Sequence, residues 1–266
     1  EARDLFQRGL VRSEKVGYLL GTALHLGGLA GLDVVEGDLA LAEERLVTAE
    51  EAFGVAGDAR ARAAALLALA DVRAWQGRFD EARRVAREAR AFFVANEFEL
   101  SAADAAATLG QVEELAQNLG PARELYGEAC TTYMRTDSPL GLASTYTALA
   151  RVASLRGEPD VGLGFLTQAE PLWHVLGHPR GLADLCSIRG EVRTARGELA
   201  QARVDLLQAL ETYENLDHAI GMACTRRRMA ALHLAEGEPV RAAAELGRAA
   251  RAFEAMGAKV EAERTR

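Results

Sequence analysis

Glycine returns along this chain at a fixed step. Gly37, Gly77, Gly157, Gly197 and Gly237 lie at multiples of 40 residues from one another, and Gln117 fills the one place in the series without Gly. Other positions keep the same register. Five residues after each marker stand Ala42, Ala82, Ala122, Gly162, Ala202 and Ala242. Twelve after stand Ala49, Ala89, Ala129, Ala169, Ala209 and Ala249, without exception. Sixteen after there is always an aromatic: Phe53, Phe93, Tyr133, Trp173, Tyr213 and Phe253. Seven before stand Ala30, Ala70, Gly110, Ala150, Gly190 and Ala230. A period of this length belongs to stacked supersecondary units, none of which can bury its apolar face alone.

Each unit reads as two antiparallel helices. The first ends near the marker, where a left-handed residue closes a helix at little cost. The second runs through the aromatic and one turn beyond. Further turns follow at Gly57-Asp58, Asp137-Ser138-Pro139, Gly177-His178-Pro179, Asp217-His218 and Gly257. Ser138-Pro139 and His178-Pro179 place a capping residue before a Pro in the first helical turn. The small residues let neighbouring helices approach, and the aromatic fills the space between one pair and the next. The units are expected at 18–57, 58–97, 98–137, 138–177, 178–217 and 218–257. Glu1-Ala2-Arg3 keeps register with Glu81-Ala82-Arg83, so residues 1–17 read as the second helix of a unit whose first helix is absent. Residues 258–266 read as the start of a further helix. Both ends look cut inside the array, and the chain is expected to be a fragment of a longer protein.

The composition narrows the function. A net charge of −8, with Arg interleaved among Asp and Glu at helical spacing, argues for solvated ion-pair faces and against direct nucleic-acid binding. No apolar run is expected to span a membrane; the stretch Ala61 to Ala70 is short and flanked by charges. Three widely spaced cysteines, Cys130, Cys186 and Cys224, suggest reduced thiols and a cytoplasmic location. Neither a Gly-x-Ser-x-Gly elbow nor a phosphate loop is present, so no catalytic residue, no cofactor and no enzymatic activity are expected.

These residues resemble the tetratricopeptide repeat. The likeness is carried by Leu69-Ala70 and Leu109-Gly110 in first helices, by Gly77-Arg78-Phe79-Asp80-Glu81-Ala82 at the turn, and by Ala89 seven residues on. The unit of 40 is longer than the family's usual one. It resembles the long variant of bacterial signalling arrays, including the C-terminal arrays of ATP-dependent transcription regulators. The resemblance implies an all-α, right-handed superhelical solenoid of antiparallel helix pairs. About six complete repeats are expected, with partial ones at both ends.

It also implies that first helices line the concave face, with inner residues about 13, 10, 6 and 3 before each marker. The face then starts apolar at Leu24, Gly27, Gly31 and Val34 and turns polar along the chain. The candidate groove residues are Asp71, Gln111, Thr147, Arg151, Asp184, Ser187, Glu191 and Arg227. Arg227, with Arg189 or Arg193 nearby, either receives a ligand carboxylate or phosphate or pairs with Asp184 and Glu191. The only lysines are Lys15 and Lys259, and no Asn lies in the groove, so the Lys/Asn clamp of chaperone-tail-binding members is not expected.

Several irregular places carry two readings. Gly162, Gly164 and Pro171 predict a kink near Glu170-Pro171, either a groove-shaping bend or a tolerated one. The glycines at 21, 27, 28 and 31 offer either a floor for a ligand backbone or tight helix packing. His174 and His178 are four apart, but Gly177 and Pro179 break the helix between them and no acidic third ligand is in register. No metal is therefore expected, and the shared position of His178 and His218 points to turn capping. The function expected is a non-catalytic array that binds a protein, a peptide or a small effector in its groove. It would serve in signal transduction or transcription regulation, with no membrane contact. The alternative is a scaffold or homo-oligomerising module without a small ligand.

Overall fold

Every twentieth residue from Gly17 to Gly257 has a positive φ, between 51° and 88°. Nine of the thirteen are Gly; Glu97, Gln117, Asp137 and Asp217 take the same conformation. All but Gly177 end a helix in the same way. The next amide N–H reaches back five residues, as from Asp38 to the Asp33 carbonyl at 2.8 Å and from His218 to that of Tyr213 at 2.9 Å. That residue is also the N-cap of the next helix, so two residues suffice to reverse the chain. Asp38 and Asp58 accept the N–H of Leu41 and Ala61 through their carboxylates. The His178 and His218 Nδ1 atoms accept from Gly181 and Gly221, each at 3.0 Å. The expected capping role of these histidines is therefore present.

The computed structural model describes residues 1–266 as fourteen helices and no strand. They are α1 (Ala2–Lys15), α2 (Leu19–Glu36), α3 (Leu39–Ala56), α4 (Ala59–Trp75), α5 (Phe79–Ala95), α6 (Glu99–Leu115) and α7 (Leu119–Arg135). The second half holds α8 (Pro139–Leu155), α9 (Pro159–Leu176), α10 (Pro179–Ala195), α11 (Leu199–Asn215), α12 (Ala219–Ala235), α13 (Pro239–Met256) and α14 (Lys259–Thr265). Consecutive helices pack in antiparallel pairs. Beyond these neighbours, α4 packs on α6, α6 on α8, α8 on α10 and α10 on α12. The even-numbered helices from α4 to α12 therefore form one continuous layer, with the odd-numbered ones outside it. The alanines twelve after the marker are all 0 % exposed, and the registered aromatics at most 6 %. They are the spacers and plugs of a repeating core.

Three local features refine the expectations. By length and composition α2 is apolar enough to cross a membrane. Here it is an array helix: its buried Asp33 is held by Arg3 and Arg45, and Gly28 leaves room only for the Phe6 ring. Gly27 and Gly31 face open space, so the glycines of α2 divide between packing and exposure. Helix α9 runs from Pro159 to Leu176 with Pro171 inside it, through the aromatic Trp173 as the register requires.

The array also curls until its ends meet. Helix α12 touches α2, and a Cβ on Gly37 or Gly77 would strike Met256 or Val260. The largest core cluster joins Ala30, Leu69 and Phe93 to Ile220, Phe253 and Ala262. The Arg264 guanidinium donates to the Leu115 carbonyl across this seam at 2.6 Å.

Candidate functional site

Curling sets the inner helices around two adjoining, partly open cavities of about 730 and 630 Å³. Glu114, Leu115, Arg151, Arg227 and Arg228 line both. Of the eight candidate groove residues, Asp71, Gln111, Thr147, Arg151, Asp184, Ser187 and Arg227 line the larger cavity. Glu191 lines the smaller one. Leu24, Gly27 and Gly31, at the apolar start of the face, border neither.

Most of the polar groups here are already partnered. The Arg151 Nη2 donates to Glu114 Oε2 at 2.7 Å, and the Tyr126 hydroxyl donates to the same oxygen at 3.0 Å. Glu114 is buried, and these donors satisfy its carboxylate oxygens. The Trp173 indole N–H donates to Thr147 Oγ1 at 3.0 Å, and the Tyr133 and Tyr213 hydroxyls donate to Asp104 and Asp184 at 2.7 and 2.6 Å. Burial pushes both tyrosines above their ordinary range, reinforced by the carboxylate each faces, so they remain donors. Ser187 and Thr225 share a 2.8 Å hydrogen bond.

The three consecutive arginines separate as helical geometry demands. Arg226 turns to Glu214 and Glu245. Arg227 reaches Glu261 on α14 at 2.5 Å and lies over the Phe253 ring. Arg228 binds Glu191 at 2.5 Å and Ser187 at 3.1 Å. Two expectations are corrected here. Arg189 and Arg193 do not join Arg227, because both are drawn to the buried Asp205 of α11. Arg227 does not pair with Asp184 or Glu191; its partner comes from the far end of the chain.

Two side-chain atoms of the larger cavity stand apart. Asp71 Oδ1 and His218 Nε2 are buried without a hydrogen-bond partner. Burial pushes the Asp71 carboxyl up to about 7, against the opposing pull of Arg180. Burial also lowers the His218 imidazole, helped by Arg180, and keeps it neutral. The cysteines Cys130, Cys186 and Cys224 are free thiols, each raised by burial. His233 lies within ligand distance of Glu236 and Glu238, but Arg203 and Arg241 already bind those carboxylates. His174 is exposed, and His178 spends its Nδ1 on the cap.

Sequence reasoning did not bring Tyr126, Arg180 or Glu261 to the site, and it read His218 only as a turn cap. One signal was available. At the registered position a Gly stands against each Tyr or Trp ring, Gly141 against Tyr133, Gly181 against Trp173 and Gly221 against Tyr213, and Gly110 stands against Tyr126.

The enclosed inner layer and paired helices define a tetratricopeptide-type repeat array. No family model matches the sequence, and no curated protein matches it either. The likeness lies in solved structures. The Rap conjugation gene regulator of plasmid pLS20, in complex with a Phr peptide, aligns over 94% of this chain and 78% of its own, with a TM-score of 0.74 and 14% identity. A Rap protein complexed with competence and sporulation factor aligns over 92% and 73%, with a TM-score of 0.69 and 12% identity. BtubC from P. vanneervenii aligns over 84% and 92%, with a TM-score of 0.56 and 21% identity. At these identities the shared property is the fold.

Proposed function

We propose that the concave channel binds a linear peptide or an extended protein segment, and that the array is the non-catalytic sensing part of a larger cytoplasmic signalling or transcription regulator. The carrying observation is the placement of the polar network. Carboxylates, guanidiniums and aromatic donors, several of them buried, converge on the two partly open cavities, although an apolar lining would cost less to bury. The two Rap structures, one with a Phr peptide and one with competence and sporulation factor, lend this reading support through the fold.

Ser144 lines the larger cavity with its side chain exposed, so Ser144→Trp fills space without disturbing the core. Affinity selection from a library of linear hexapeptides is expected to recover binders with the native chain and none with this variant. Equal recovery from both would sink the reading. A second reading, self-association, has one observation in its favour: Val55, Val94, Met134 and Val175 expose an apolar side chain near the end of successive outer helices. A concentration-independent monomer in sedimentation would remove it.

A further inference from the structure

Three guanidiniums line both cavities, and their partners differ in kind. Arg151 is held by Glu114 and Arg228 by Glu191, each a carboxylate on the preceding inner helix. Neither of these carboxylates pairs with a second cation. Arg227 is held instead by Glu261 of α14 at 2.5 Å. Glu261 does have a second cation, Arg264, one turn along its own helix at 2.8 Å. Arg227 is also the most open of the three, with its side chain 35 % exposed against 27 % for Arg151 and 12 % for Arg228.

These differences decide which pair can exchange partners. Taking Glu114 or Glu191 from its arginine strands a carboxylate among the inner helices, which is strongly unfavourable. Glu261 can withdraw together with Arg264 and keep a counter-ion. The element that carries both is the seven-residue α14, too short to persist on its own hydrogen bonds. It is held beside the smaller cavity by Val260 against Gly77 and by the Arg264 guanidinium on the Leu115 carbonyl. Leu115 ends α6, so water can take that carbonyl when α14 moves. Arg227 stays behind. It sits in the middle of α12, with its guanidinium over the fully buried Phe253 ring. The smaller cavity thus contains an anchored guanidinium whose carboxylate belongs to a detachable element.

We infer that Arg227 receives a carboxylate of the bound peptide, and that Glu261 occupies it as an internal competitor while the channel is empty. The exchange replaces one carboxylate by another on the same guanidinium, so the charge and the planar fork are already matched to the ligand. A peptide without a carboxylate has nothing to offer Arg227 and leaves Glu261 in place. The inference rests on the peptide-binding reading and adds to it an anionic group and an autoinhibitory contact.

The test uses the whole chain and three hexapeptide libraries: amidated without acidic residues, amidated with one Asp or Glu, and without acidic residues but with a free C-terminal carboxylate. Affinity selection is expected to recover peptides from the second or the third and not from the first; which of the two responds tells a side-chain carboxylate from a chain end. Arg227→Gln is expected to weaken the recovered peptides about tenfold or more, and Glu261→Gln, which keeps the side-chain shape, to tighten them about tenfold. Thermal melts check that both variants fold. In the native chain, saturation with a recovered peptide is expected to speed amide hydrogen exchange in residues 259–265, a readout that needs no substitution. Equal recovery from the first library overturns the carboxylate assignment and leaves the peptide-binding reading standing, as does unchanged affinity in Arg227→Gln. Unchanged or weaker binding by folded Glu261→Gln, or exchange in α14 that does not rise on saturation, overturns the competitor role. Recovery from no library overturns this inference and the peptide-binding reading together.

Discussion

The repeats that carry Phe and those that carry Tyr or Trp solve the same packing problem with different consequences. Phe53, Phe93 and Phe253 are plugs without a polar tip, although Phe253 also lies beneath the Arg227 guanidinium. Phe93 sits in the largest core cluster at 2 % exposure, with Phe92 and Phe98 edge-on against it. Tyr133, Trp173 and Tyr213 occupy the same register and are equally buried. Each also carries a polar tip to an inner helix, where it binds Asp104, Thr147 or Asp184. On the following first helix Gly141, Gly181 or Gly221 stands against each of these rings. One packing position thus fills the core in some repeats and builds the channel floor in others.

The largest effect that separates the two classes comes from removing a plug. Phe93→Ala is expected to cost about 3–5 kcal/mol, because cavity and transfer terms add in a site that is already closed. Urea denaturation would measure it, and a loss below about 1 kcal/mol would mean that the end repeats collapse to fill the void. Next comes the room left for a polar ring. A Cβ at Gly181 would lie 2.3 Å from the Trp173 ring. Gly181→Ala is expected to cost about 1–3 kcal/mol by overpacking, and to cost much less in a Trp173→Phe background. A double-mutant cycle that shows simple additivity would break the proposed pairing of Gly with polar aromatic. A smaller effect follows for the tip. Tyr213→Phe keeps the plug and removes the donor to Asp184, for an expected loss of about 1–2 kcal/mol. No loss would show that Arg180 and water suffice for that carboxylate.

Much of this was legible in the residues. The step of 40, the antiparallel pairs, the alanine spacers and the histidine caps all follow from contacts within a repeat or between neighbours, where sequence separation is short. The left-handed turns at Glu97 and Gln117 were less visible, because packing on both flanks overrides the preference for Gly. The partners of Arg227 and Arg264 could not be read at all. They exist only because the array closes, and closure sums small rotations over six helix pairs, for which no single residue is a marker. The eight groove residues were found by register alone. The direction each would face, and whether a neighbour had already claimed its charge, depended on that closure.

Asp71 offers the smallest and most selective test of the comparison. It lies in a Phe repeat, so no aromatic hydroxyl reaches it as one reaches Asp104 and Asp184, and burial raises its carboxyl to about 7. A carboxyl whose pKa is higher in the folded state binds more protons there than in the unfolded chain. Its stabilising contribution is therefore complete below the unfolded value near 4 and is lost as the pH rises through 7. The groups around it temper this: Arg180 opposes the shift, and His218, lowered by burial, contributes in the opposite sense by losing stability toward acid. Because the residue is partly open to the cavity, the expected effect is on the order of 1 kcal/mol or less. The difference between native chain and Asp71→Asn isolates it, since the other titrating groups are common to both. Denaturation midpoints at pH 5 and pH 8 are expected to differ more in the native chain than in the variant, with the native chain losing more stability toward alkali. Parallel pH profiles would mean that Asp71 is ionised throughout, and that the Phe repeats and the Tyr and Trp repeats support their inner carboxylates equally well.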